Sequence, residues 1–178
     1  VPTDQGPQVQ RNPGAPGCVW FVNEIRWVNS PDEEIVALND FNPVRTAVID
    51  KAWQADLPSW QQLASSDSAA TIRLTDYPAP DRLLYESQSA SPRLAVFSEV
   101  FYKTWHAYID GREVKPIRVD YILRGLEIPA GTHKIEFRCV DDVYLRSARI
   151  SLIASIVVGV VFLALLGMVV RSAVVRKA

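Results

Sequence analysis

The sequence predicts a mainly β protein. An antiparallel β-sandwich or jelly-roll-like body carries a small α/β segment at its N-terminal side and is followed by one C-terminal transmembrane helix. Three observations predict this. The run from Ile150 to Val170, ISLIASIVVGVVFLALLGMVV, carries no charge. Residues 71–140 break into short alternating segments separated by Pro, Gly and Asp-Gly. Residues 18–50 instead interleave apolar, strand-like runs with a helix-start signal.

As a helix rising ~1.5 Å per residue, the run 150–170 spans about 30 Å, the thickness of a bilayer's hydrocarbon core. Backbone groups must pair internally in lipid, which requires one continuous helix. Arg149 precedes the run, and Arg171, Arg176 and Lys177 follow it; such side chains reach headgroups and hold the ends. Ser151, Ser155 and Gly159 recur every four residues, and Gly167 returns to that side. Small residues at this spacing predict a face for close packing against other transmembrane helices. The tail 171–178 holds three basic residues in eight, a higher density than Arg138, Arg146 and Arg149 give the other flank, where Asp141 and Asp142 count little. Positive charge therefore places the tail on the cytoplasmic side and the body outside.

Residues 1–17, rich in Pro, Gly and Gln, read as a linker. The α/β segment covers 18–70. Val19-Trp20-Phe21-Val22 opens it, and alternation from Ile25 through Trp27 and Val28 suits a strand. Ser30 is placed to cap a helix, with Pro31 in its first turn and Glu33 able to reach back. Ile35, Val36 and Leu38 give that helix an apolar side, and Pro43 ends it. Thr46-Ala47-Val48-Ile49 reads as another strand, and 51–70 has no strong period and reads as a loop.

The sandwich covers 71–140. TIRLTDY (71–77) places Ile72 and Leu74 on one side, and Pro78 to Asp81 is a break. Strands follow at 82–89, 93–100 and 105–110, the last ending in Asp110-Gly111, a hairpin signal because both positions tolerate positive φ. Segments 113–119 and 121–128 lead to the turn Pro129-Ala130-Gly131. Strand 132–140 then puts Ile135, Phe137 and Cys139 on one face. One face of each sheet is expected to be buried and the other solvated. Residues 141–149 connect this body to the membrane helix.

Chemistry-bearing motifs are sparse. The net charge of −1 gives no reason to expect a nucleic-acid partner. Cys18 and Cys139 are either a disulfide or two free thiols, and neither has metal-ligand spacing. His106 lies opposite the Trp105, Ala107 and Ile109 face, and His133 follows a turn. No nucleophile elbow, zinc-protease pair, P-loop or dinucleotide fingerprint occurs. No catalytic residue, metal or cofactor is expected. Arg124 lies inside an apolar strand. It is either a clamp for an anionic or sugar ligand or an ion pair with Glu99 or Asp110. The five tryptophans, Trp20, Trp27, Trp53, Trp60 and Trp105, are core material or platforms for sugar rings. Trp53 and Trp60, in the segment without period, are the solvent-facing pair.

Residues 97–137 carry a resemblance. Phe97-Ser98-Glu99, Trp105-His106-Ala107-Tyr108-Ile109-Asp110-Gly111-Arg112, Asp120-Tyr121-Ile122-Leu123-Arg124-Gly125-Leu126 and Ile128-Pro129-Ala130-Gly131-Thr132-His133-Lys134-Ile135-Glu136-Phe137 resemble the C-terminal region of YfhO-type bacterial membrane proteins. Val19-Trp20-Phe21-Val22, Asp32-Glu33-Glu34-Ile35-Val36-Ala37-Leu38 and Phe41-Asn42-Pro43 are similar to the segment before it. The chain departs from the pattern at Lys103-Thr104, where a Pro/Gly-type turn is usual, and at Asp120, where Asn is common. The family is similar to GT-C-type glycosyltransferases that use lipid-linked sugars, with its proposed catalytic carboxylates near the start of the full protein. The resemblance implies a fragment of such a protein: its last extracytoplasmic β domain and final helix in a bacterial cytoplasmic membrane. It places no catalytic residue here, and it adds an envelope polysaccharide to the expected partners. The start at Val1, with no signal-peptide pattern, agrees with that expectation. A membrane-anchored carbohydrate-binding or structural module is the alternative.

Overall fold

The structure is a computed structural model describing residues 14–59 and 69–175. It consists of two compact units, one ending at Cys139 and the other starting at Val140.

The first unit contains β1 (Val19–Val22), β2 (Glu24–Val28), α1 (Pro31–Ala37), β3 (Thr46–Asp50) and a 3₁₀ turn (Lys51–Asp56). The strands β4 (Thr71–Ala79), β5 (Arg82–Ser89), β6 (Arg93–Val100), β7 (Trp105–Ile109), β8 (Arg112–Val114), β9 (Ile117–Val119), β10 (Leu123–Ile128) and β11 (Gly131–Cys139) follow. One antiparallel sheet has the order β1-β6-β10-β9, and a second has the order β4-β5-β11-β7-β8. Strands β2 and β3 form a parallel pair, which needs the crossover that α1 supplies.

The two antiparallel sheets face each other across a core of Tyr85, Phe97, Leu126, Ile128, Ile135 and Phe137, among others. Phe97 meets Tyr85 and Phe137 edge-on at centroid distances of 4.9 and 4.8 Å, the favoured aromatic geometry. A second core lies on the other face of the first sheet. There Leu94, Val96, Ile117 and Val119 pack on Ala47, Ile49 and Leu57. The first sheet is therefore covered on both sides, unlike the one-sided burial expected from alternation. Strand β6 shows the effect: Arg93 to Phe97 are all buried in succession, as in any strand with two apolar faces.

Local chemistry explains the elements. The Ser30 hydroxyl accepts the Glu33 N–H, and the Glu33 carboxylate accepts the Asn29 N–H at 2.9 Å, a capping box shifted by one residue. Asp110 and Gly111 have φ of 51° and 80°, which gives the tight β7–β8 hairpin its twist. At Gly125 an added Cβ would sit 2.5 Å from Val119 Cγ1, so strand β9 packs where a side chain would stand.

Four further expectations are corrected. First, segment 113–119 is not one strand: β8 and β9 belong to different sheets, because Lys115-Pro116 turns the chain and Pro cannot donate to a ladder. Second, β4 runs through Pro78 to Ala79 with register shifts; it is an edge strand, where the missing N–H faces no neighbour. Third, α1 buries Glu34 and Ala37, while Ile35 and Val36 are exposed. Ala37 and Leu38 pack with Val28, Val48 and Phe41, and the Glu34 carboxylate pairs with Arg118, so of the expected apolar side only Leu38 is used. Fourth, residues 51–56 form a 3₁₀ turn whose Ala52 N–H is accepted by the Asp50 carboxylate. The two cysteines are free thiols.

The second unit is α2, Asp142–Val175. The Asp141 carboxylate accepts the Tyr144 N–H, so capping starts the helix upstream of the uncharged run and 142–149 are helical. Val143–Met168 is long and apolar enough to cross a membrane. The Ser155 hydroxyl donates to the Ser151 carbonyl at 2.9 Å, which satisfies it within the helix. Ser151, Ser155 and Gly159 line one shallow groove with Ala154, Val158 and Phe162.

Candidate functional site: an aromatic cleft backed by a buried arginine

Two chain crossings between the facing sheets create a cleft. Residues 101–104 lead from β6 to β7, and Lys115-Pro116 leads from β8 to β9. The 3₁₀ turn adds Trp53. Together they enclose an open cleft of about 680 Å³, whose aromatic lining is Trp53, Phe101, Tyr102 and Trp105. Trp53 meets Phe101 edge-on at 5.2 Å. Lys115 donates to the Asp56 carboxylate at 2.7 Å and lies 5.9 Å from the Trp53 ring centre, tying the turn to the corner. At the rim, His106 Nδ1 and Glu113 Oε1 are 2.7 Å apart. Apolar walls with few polar tips are what a small-molecule or sugar site presents.

Arg124 stands behind Trp105. It is 1% exposed, with its guanidinium carbon 4.3 Å from the Trp105 ring centre and 4.8 Å from that of Phe137. Its Nη2 donates to Glu99 at 3.2 Å, and Glu99 is half-exposed. Nε and Nη1 have no hydrogen-bond partner among the described residues; the aromatic faces take that place. Burial pulls the Arg124 pKa below the ordinary value, and the Glu99 charge opposes this. Burial also pushes the nearby Tyr85 hydroxyl upward.

Of the two readings of Arg124, the geometry is therefore an ion pair with Glu99. Asp110 does not join them. It accepts from the Lys134 N–H and lies 2.6 Å from His133 Nδ1 in the turn at the other end of the sandwich. That bond raises the His133 pKa and lowers that of Asp110. Trp53 lies in the cleft, half-buried against the second core and not freely solvent-facing as expected, whereas Trp60 falls outside the described residues. Among the described residues, no group of three or more His, Cys, Asp or Glu could hold a metal ion.

Sequence reasoning missed two groups. Phe101 and Tyr102 join Trp53 and Trp105 in the cleft. The aromatic density of Phe101-Tyr102-Lys103-Thr104-Trp105 is the signal that marks them. Glu34 is the other. Fully buried, it accepts from Arg118 at 2.7 Å and from the Tyr121 N–H at 2.9 Å. It thereby anchors Asp120 and Tyr121, whose φ values of 48° and 69° are left-handed. Asp120 accepts the Val48 N–H at 2.8 Å, while its Oδ2 has no partner among the described residues. Burial first, and then the Glu34 charge, push the Asp120 pKa up to about 6.

Comparison with protein-family models, curated proteins and solved structures finds no match.

Proposed function

We propose that this chain is a non-catalytic, membrane-anchored β-sandwich that holds a glycan in its aromatic cleft. In this reading it serves as the C-terminal extracytoplasmic region of a cell-envelope glycosyltransferase of the YfhO type. The observation that carries the reading is the convergence of Trp53, Phe101, Tyr102 and Trp105 on one open apolar cleft. Sugar rings present apolar C–H faces that stack on such rings, while their hydroxyls bond to polar groups at the rim. His106, Glu113 and Lys103 supply those groups. The resemblance of residues 97–137 supplies the family. It brings with it a lipid-linked donor, an envelope polymer as acceptor, a bacterial cytoplasmic membrane and a cytoplasmic tail. The chain would position acceptor or carrier sugar, and the transfer chemistry would belong to other parts of such a protein.

The test is a titration of the full chain in lipid nanodiscs with oligosaccharides from envelope polysaccharide. Trp53→Ala should weaken binding about tenfold, the loss of one stacking platform. Equal and negligible affinity for the parent chain, Trp53→Ala and Trp60→Ala would dismiss glycan binding.

A further inference from the structure

The two ends of the sandwich differ in the large apolar side chains they expose. Strand register fixes which residues share an end. Cys139 pairs with Trp105, Arg138 with Arg82, Ala79 with Arg82, and Leu123 with Val100. The Phe101 N–H donates to the Ile122 carbonyl at 2.7 Å, which brings the 101–104 loop and Ile122 to the same end. Exposed there are Tyr77 (56%), Val100 (61%), Tyr102 (57%) and Ile122 (50%). The turns at the opposite end, 89–92, 110–112 and 129–131, expose no large apolar side chain.

Exposed apolar groups gathered at one end mark a contact surface. Chain connectivity identifies the contact. The strand that ends at Cys139 is followed directly by Val140, and the membrane-spanning candidate starts at Val143. The apolar end is thus the end from which the chain departs for the bilayer.

We infer that the Cys139 end of the sandwich is a membrane-contact surface, with Tyr77, Val100, Tyr102 and Ile122 seated in the headgroup–acyl boundary. Tyrosine favours that boundary because its ring is apolar and its hydroxyl stays wet. Val100 and Ile122 supply aliphatic depth, and Lys103 is long enough to reach lipid phosphate. The covalent tether makes the encounter intramolecular, so a small patch suffices. Tyr102 and Lys103 also line the aromatic cleft. The cleft then opens at headgroup level, where a sugar on a lipid carrier would be presented. The contact itself depends on the spanning helix and not on glycan binding.

The test uses the full chain in nanodiscs with Cys18→Ser and Cys139→Ser. Nitroxide labels are placed singly through Val100→Cys, Ile122→Cys, Arg112→Cys and Leu163→Cys. All four positions are exposed, so labelling leaves the core intact. Collision with oxygen reports lipid, and collision with a nickel chelate reports water. Labels at 100 and 122 should show several-fold less nickel access than the label at 112, with more oxygen access. Nickel access equal to that at 112 would overturn the inference. Exclusion of both reagents at 100 and 122 would also overturn it, in favour of a protein partner. Nickel access at 163 would remove the spanning helix, and the inference with it, while leaving the oligosaccharide titration to stand or fall separately.

Discussion

The Trp105 indole lies 4.3 Å from the guanidinium carbon of Arg124 and also lines the open cleft. One ring thus joins the buried charge to the candidate ligand site. Trp105 is held from behind by a cation that is itself held by Glu99 and Phe137. A stacking platform fixed this way loses little side-chain freedom when a ligand arrives.

If Arg124 serves packing, its shape matters more than its charge. Arg124→Ala should lower stability by about 2–5 kcal/mol, through the cavity and the lost stacking. Arg124→Met, which refills the space, should cost less than about 1.5 kcal/mol. Glu99 is half-exposed and keeps its hydration when unpaired. Chemical denaturation of the full chain in nanodiscs, followed by tryptophan fluorescence, measures both.

Asp120 makes stability depend on pH. Its native pKa, about 6, lies above the ordinary aspartate value of 3.8. The folded state therefore binds its proton more tightly than the unfolded chain. This contribution is fully present below pH ~4 and is lost as pH rises through about 6. Asp120→Asn keeps an acceptor for the Val48 N–H and removes the buried charge. It should stabilise the protein by up to ~3 kcal/mol at pH 7.5, and the gain should vanish by pH ~4. Thermal unfolding across that range tests it, and a pH-independent difference would contradict the assignment.

Gly125 has no room for a methyl group. Its added Cβ would approach Val119 Cγ1 to 2.5 Å and Ile117 Cγ1 to 3.1 Å. Gly125→Ala should therefore cost about 1–3 kcal/mol by forcing β9 outward, again measurable by denaturation. A neutral result would mean that β9 is loosely held.

Much of this architecture is legible in the sequence because local signals are strong. Strands β5 and β6 follow from the breaks that flank them, the β7–β8 hairpin from Asp110-Gly111, and α1 from Ser30-Pro31 with Glu33. What is not legible depends on partners distant in the chain. Nothing near Glu34 announces Arg118 or Tyr121, 84 and 87 residues away, so Ile35 and Val36 look like the natural buried face. The division of 113–119 between two sheets needs the register of both. The cleft is tertiary as well: Trp53 reaches Phe101 only because the 3₁₀ turn packs beside the corner at Lys115. Arg124 is visible as an anomaly, but only the fold selects Glu99 over Asp110.

Membrane anchoring of the sandwich requires α2 to be a membrane span. Alkaline carbonate extraction of membranes from cells expressing the full chain tests this most directly, beside Leu163→Arg, which places a charge within the apolar run at a cost of up to about 3 kcal/mol. The parent chain should stay with the membrane pellet, and a larger fraction of the Leu163→Arg chain should be released. Complete release of the parent chain into the supernatant would contradict the span.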